Sequence, residues 1–219
     1  KKAVPQGDAT LEKAVYGLYA REDIVHPDGA TGVIYEAGEQ VATLTTDKNG
    51  QASVDGLYLG NYYVKEITPP TGYLADEEEH DLVCNYEGDF VAEVKRDCLS
   101  LEQVMKQPFE IIKAANNGKT DADLLKGAGF TAYLVSSLTV KEDGSYDFGS
   151  AKPVVIGENG ATEIFTDEKG YARSIAIPYG TYIVRETTTP HNYTPVNDFI
   201  VQITENHPTT PQVWRVLLD

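Results

Sequence analysis

Short runs of β-branched and aromatic residues recur along the chain, many of them alternating with polar residues. The N-terminal half carries AVYGLYA, VATLTT, NYYVKEI, HDLVCNY and FVAEVKR, and the C-terminal half carries FEIIK, FTAYLV, TEIFT, TYIVRE, DFIVQIT and VWRVLL. A period of two puts successive side chains on opposite faces, so these runs predict half-buried strands separated by turn residues. TDKNG and TDEKG read as hairpin turns, with Gly50 and Gly170 suited to a positive φ. If 82–86 and 90–97 form a hairpin about Glu87-Gly88, Cys84 and Cys98 sit at different heights and cannot face each other. The single helix-like stretch, LSLEQVMK, is short enough to be a turn. Many short, regularly spaced strands predict an all-β chain of sandwich type rather than an α/β enzyme.

The chain repeats itself. At an offset of 120 residues, Thr46–Tyr73 aligns without gaps to Thr166–Tyr193, with eleven of 28 positions identical. The shared letters are turn residues, strand aromatics, one Glu, one Pro and one Tyr. The segment from Lys2 (KAVPQGD) matches that from Lys113 (KAANNGK), and FVAEVKRD (90–97) matches QVWRVLLD (212–219). We therefore expect two copies of one domain, 1–99 and 107–219, joined by a connector over 100–106. That connector carries Leu101, Val104 and Met105 and is not a Gly/Ser tether, which predicts a semi-rigid joint with these side chains packed.

Composition agrees with two domains: 219 residues, 41% apolar and 24% charged, is globular usage. A formal net charge of −16 opposes binding to nucleic acid and to anionic membranes. No apolar run nears the roughly 20 residues that span a bilayer. The sequence shows no leader and no initiator Met, which reads as a fragment or a processed product. Cys84 and Cys98 are too few for a disulfide scaffold and are expected to be free thiols. A secreted domain without disulfides needs another source of robustness.

With the repeat laid out, the chain resembles a tandem pair of Cna B-type domains, also called SpaA-type or prealbumin-like, found in pilins and adhesin stalks of Gram-positive bacteria. The family pattern is a first-strand Lys, then L-x-G-A-x-F, a T-D-x-x-G turn, and G-x-Y-x-x-x-E-x-x-x-P-x-G-Y. The second copy has Lys113, Leu125 to Phe130, Thr166-Asp167 with Gly170, and Gly180 to Tyr193. The first has Lys2, Leu11, Ala14, Tyr16, Thr46-Asp47 with Gly50, and Gly60 to Tyr73. Lys13 departs from the family Gly, and Asn192 from the Gly before the final Tyr. Asn tolerates the left-handed backbone next best, so that turn can survive. The resemblance implies two Ig-like, prealbumin-like β-sandwiches with first and last strands adjacent.

It also implies a chemistry. Many such domains join a first-strand Lys to an Asp or Asn of the last strand through an isopeptide bond, assisted by a Glu. Burial favours the neutral amine, a nucleophile, and the protonated Glu, which polarises the carbonyl. The fold supplies proximity. By position the resemblance assigns Lys2 with Glu66 and Lys113 with Glu186, with Asp97 and Asp219 as acceptors. Period two independently turns Glu66 inward with Tyr62 and Val64, and Glu186 inward with Tyr182 and Val184. The alternative for each Glu is a strand-end salt bridge or turn cap. The acceptors fit less well: Asp219 shares a face with Leu217 and Arg215, opposite the more apolar Trp214, Val216 and Leu218. Asp97 likewise opposes Phe90, Ala92 and Val94. A bulge would correct the phase; otherwise residue 220 is the second acceptor and Asn85 a rival in the first copy.

Other signals are weak. Asp147-Phe148-Gly149 spells a kinase motif without the rest of a kinase. His26, His80, His191 and His207 lack metal spacing and read as solvated. Asp76 to Glu79 reads as a solvated acidic run rather than a Ca²⁺ loop. We expect no cofactor, no metal and no multi-turnover active site. Two classes remain. One is a structural stalk or pilin-type module on a bacterial cell surface, whose partners are neighbouring domains of the same protein. The other is an adhesin binding a host matrix protein or glycan through Ser136–Asn159 or Glu22–Glu39, with Tyr35, Tyr146 and Phe148 at the site.

Overall fold

Strand alternation decides which side chains each sheet turns inward. The computed structural model describes residues 6–115 and 123–218, and its regular elements are strands apart from two 3-10 turns. The chain divides into two units. One is Thr10–Gln103; the other is Val104–Asp219 together with the N-terminal segment ending at Ala9. That segment joins the second-copy unit through Asp8, whose N–H donates to the Tyr179 carbonyl at 2.9 Å and whose carboxylate accepts the Thr181 N–H at 3.1 Å.

In the second-copy unit, one antiparallel sheet has the strand order Glu163–Phe165, Gly129–Leu134, Gly180–Thr188, Phe199–Ile203. The second sheet centres on Phe109–Ala115, flanked by Tyr171–Arg173 and, in parallel, by Gln212–Leu218. First and last strands are therefore adjacent. Phe109, Ile111, Phe130, Ala132, Tyr182, Val184, Val201 and Ile203 fill the space between the sheets, and Trp214 and Val216 pack against them. This is a two-layer sandwich whose inner faces follow the period of two.

The first-copy unit repeats the antiparallel sheet, in the order Gln40–Thr45, Val15–Ala20, Gly60–Thr68, Glu79–Cys84. Tyr16, Leu18, Ala20, Tyr62 and Val64 form its core. Three expectations fail here. Residues 90–97 form no strand, and Phe90 is 104% exposed. A strand needs a ladder partner, and this segment pairs with none among the described residues; Arg96 donates to the Val83 carbonyl at 2.7 Å. No hairpin forms about Glu87-Gly88 either. LSLEQVMK forms no helix, and Leu101 is 76% exposed rather than packed. Cys84 and Cys98 are free thiols.

The TDxxG turns form, with Gly50 at φ 73° and Gly170 at φ 64°. They do not close hairpins. In the second copy, Glu163–Phe165 pairs in one sheet and Tyr171–Arg173 in the other, so the turn carries the chain between layers. Asp167 Oδ1 accepts the N–H of Tyr171 at 3.0 Å and of Lys169 at 2.8 Å, which holds its carboxyl below the usual range.

The repeat is also geometric. Thr46 and Thr166 each accept the N–H of Ala14 or Ala128 at 2.9 Å and donate to the carbonyl of Leu11 or Leu125. Lys13 occupies the left-handed backbone at φ 69° where the second copy has Gly127 at 81°, and Asn192 sits at φ 71° where the first has Gly72 at 85°. Tyr62 and Tyr182 donate their hydroxyls four residues back, to Tyr58 at 2.6 Å and Pro178 at 2.8 Å, tying each crossing to the central strand. Tyr62→Phe and Tyr182→Phe should each cost about 0.5–1.5 kcal/mol in denaturant unfolding, with no change of fold. A zero effect at both would mean that these bonds contribute nothing.

Candidate functional site

Phe109, Ile111 and Lys113 turn inward from the first strand of the second copy, while Tyr182, Val184 and Glu186 turn inward from the facing sheet. An apolar layer is thus interrupted by one amine and one carboxyl that meet across the sandwich. Lys113 Nζ lies 3.0 Å from Glu186 Oε2, with both side chains 0% exposed. The backbone holds Lys113 on both sides: its N–H donates to the Gly170 carbonyl at 2.7 Å, and its carbonyl accepts the Leu125 N–H at 3.0 Å. Glu186 Oε2 also accepts the Val196 N–H at 2.9 Å. Glu186 Oε1 is buried with no hydrogen-bond partner among the described residues.

Removing two charges from water costs several kcal/mol per ion, which mutual attraction offsets only with good geometry and further hydrogen bonds. Here one carboxylate oxygen is well partnered and the other is not. The last strand completes the surroundings. Val216 pairs with Lys113 and Trp214 with Ile111 in parallel register. Trp214 Nε1 is a second buried group without a partner among the described residues. Asp219 lies outside the described residues.

The first copy keeps the carboxyl and changes everything facing it. Glu66 is 9% exposed and points into the core. Its Oε2 accepts the Asp76 N–H at 2.6 Å, the same ten-residue spacing as Glu186 to Val196. Tyr16 pairs with Glu66 across the sheet where Phe130 pairs with Glu186, and a bulge precedes each. The Tyr16 hydroxyl donates to Glu102 Oε1 at 2.6 Å. Burial first, and then the nearby Glu102 and Asp76 carboxyls, push Glu66 above the usual carboxylate range against the opposing effect of the Asp76 N–H. Lys2 lies outside the described residues. Asp97 is exposed on irregular chain, as is Asn85, so neither expected acceptor of this copy meets Glu66.

Three residues at this site escaped the sequence reading: Tyr16, Asp76 and Glu102. Glu102 stands in the connector, where no periodicity marks a side chain as inward. The acidic run is not wholly solvated either. Asp76 accepts from Ser100 at 2.7 Å and meets His80 Nε2 at 2.9 Å, with both ion-pair side chains less than one fifth exposed. Burial pushes Asp76 up, but the Glu78 N–H, His80 and Ser100 outweigh it and leave its carboxyl below the usual range.

The aromatic excursion of the second copy packs down. Phe148 meets Tyr133 edge-on at 5.2 Å, and the Arg185 guanidinium lies 4.0 Å over its ring. Tyr35 packs against the first-copy core. Among the described residues no helix is long and apolar enough to cross a membrane.

Comparison with known proteins places this geometry. Among solved structures, the Bacillus anthracis TIE protein is similar at 20% identity and TM-score 0.55, covering 94% of this chain; the chain spans 30% of that protein. The GBS52 minor pilin of Streptococcus agalactiae matches at 17% identity over 99% of this chain and 86% of its own, with TM-score 0.38. The shaft pilin SpaA of Lactobacillus rhamnosus GG matches at 17% identity over 100% of this chain and 94% of its own, with TM-score 0.34. No curated protein sequence matches the chain. The SpaA family, described as a prealbumin-like fold domain, matches twice, over residues 1–97 and 108–215. The chain belongs to the SpaA family, as two prealbumin-like domains in tandem.

Proposed function

We propose that the chain is a structural module of a Gram-positive surface protein, of stalk or pilin type, whose second domain is stiffened by an intramolecular isopeptide bond from Lys113. The observation that carries this reading is the fully buried Lys113–Glu186 pair, 3.0 Å apart and bridging the two sheets. One proton passed from Nζ to Oε2 turns the ion pair into a neutral amine beside a carboxylic acid. The amine then attacks the side-chain carbonyl carbon of an Asp or Asn at the end of the last strand. A C–N bond forms, and the acceptor's C–O or C–N bond breaks. Water leaves from Asp or ammonia from Asn, and Glu186 polarises the carbonyl and returns the proton. Asp219 is the acceptor within the sequence; the adjacency of first and last strands supports a crosslink at this end of the sheet. The reaction turns over once and has no external substrate.

Such a bond lies across the path of force between the termini, which suits a domain carried in series with neighbouring domains of a surface protein. The test is amine reactivity after unfolding. In denaturant, an acetylating reagent should modify the other lysines and leave Lys113 unmodified. Complete acetylation of Lys113 would overturn the proposal. Recognition of a host matrix protein or glycan through Ser136–Asn159 is less favoured, because Phe148 is engaged with Tyr133 and Arg185.

A further inference from the structure

The first-copy carboxyl site does not repeat the second. Where Lys113 faces Glu186, Glu66 has Glu102 of the connector for a neighbour among the described residues: Tyr16, opposite Glu66, donates to Glu102, and Ser100 reaches both Glu102 and Asp76, whose N–H donates to Glu66. Three donors around the two acids are committed among the described residues. The Asp76 N–H goes to Glu66 Oε2, the Tyr16 hydroxyl to Glu102 Oε1, and the Ser100 hydroxyl at its shorter contact to Asp76. Glu66 Oε1 and Glu102 Oε2 remain, both buried and both without a partner among the described residues. Two neighbouring carboxylates, each with a buried, orphaned oxygen, form a costly arrangement. One proton held between them supplies the missing donor and removes the repulsion.

We propose that Glu66 and Glu102 share a proton and form an acid-closed latch that fastens the connector around Ser100–Gln103 onto the first-copy domain. The Leu74 N–H donates to the Gln103 carbonyl at 2.9 Å, and this backbone bond reports whether the strap is down. Among the described residues, the other titratable groups facing the pair are Tyr16, Tyr73 and Asp76, with His80 behind Asp76. Tyr16 and Tyr73 stay neutral, since burial and then Glu102 raise both. Asp76 is held ionised. The sign follows from the raised Glu66: its contribution is fully present in acid, below the unfolded carboxylate range, and is lost as pH rises through the folded value. Loss of the shared proton leaves two facing carboxylates, and the strap lifts.

Hydrogen exchange of the Leu74 amide, corrected for the intrinsic pH dependence of exchange, tests this on the intact chain. Protection should fall on the order of tenfold from mild acid to alkaline pH. Glu102→Gln, whose amide supplies a permanent donor, should keep protection high and flat. His80→Gln should retain the wild-type fall, which separates the latch from the His80–Asp76 contact. A pH-independent wild type, or a Glu102→Gln variant as pH-sensitive as the wild type, would overturn the latch. Capture of Lys2 in a covalent link would overturn it too, because an amine rather than a proton would then face Glu66. That result would leave the Lys113 proposal standing.

Discussion

Glu186→Ala is expected to destabilise the second domain more than any other single change. It removes the partner of a fully buried amine and the acceptor of the Val196 N–H together. Breaking a buried ion pair from one side costs about 3–5 kcal/mol, because the remaining charge must be neutralised or solvated in place. In a domain of this size each kcal/mol moves the midpoint by several degrees. Because Glu186→Ala also abolishes the proposed crosslink, thermal unfolding followed by Trp214 fluorescence, a probe confined to this domain, should show a drop of at least about 15 °C. The first domain should unfold as before. A shift of no more than a few degrees would mean that the pair is not holding the sheets together.

The second large effect separates the ion pair from the crosslink. Replacing both partners, Lys113→Met with Glu186→Leu, removes two buried charges and leaves no orphan. Such apolar replacements of buried pairs are often neutral or stabilising. If nothing covalent is lost, the double variant should match or exceed the wild type. If Lys113 is crosslinked, the variant should remain weaker by about 4–5 kcal/mol, the loop-closure value for a closed loop of about a hundred residues by analogy with a disulfide. The proposed function requires the second outcome. Urea unfolding measured on wild type, Glu186→Ala and the double variant places all three on one scale.

Period two and the repeat make much of the second domain legible in the sequence. Alternation turned Tyr182, Val184 and Glu186 to one face, and the family resemblance assigned Lys113 as the first-strand amine; the structure brings Lys113 and Glu186 together at 3.0 Å. Pattern did not reveal what pairs with a strand. FVAEVKR alternates as well as VWRVLL does, yet 90–97 is irregular, because a ladder depends on a neighbour that local sequence does not encode. The TDxxG turns were visible as turns, but whether the next strand returns to the same sheet depends on where its hydrogen bonds go. Glu102 was invisible for a different reason. It lies outside any alternating run and becomes an inward residue only because Tyr16, where the second copy has Phe130, offers it a hydroxyl.

The central claim is the covalent bond from Lys113, and accurate intact mass addresses it most directly. The account predicts a protein lighter than its sequence by a single water, or by a single ammonia if the acceptor is Asn. A fragment joining the Lys113 peptide to the last-strand peptide should appear on digestion, and Glu186→Ala should restore the full mass. A wild-type mass equal to that of the sequence, with the Lys113 peptide recovered free, would contradict it.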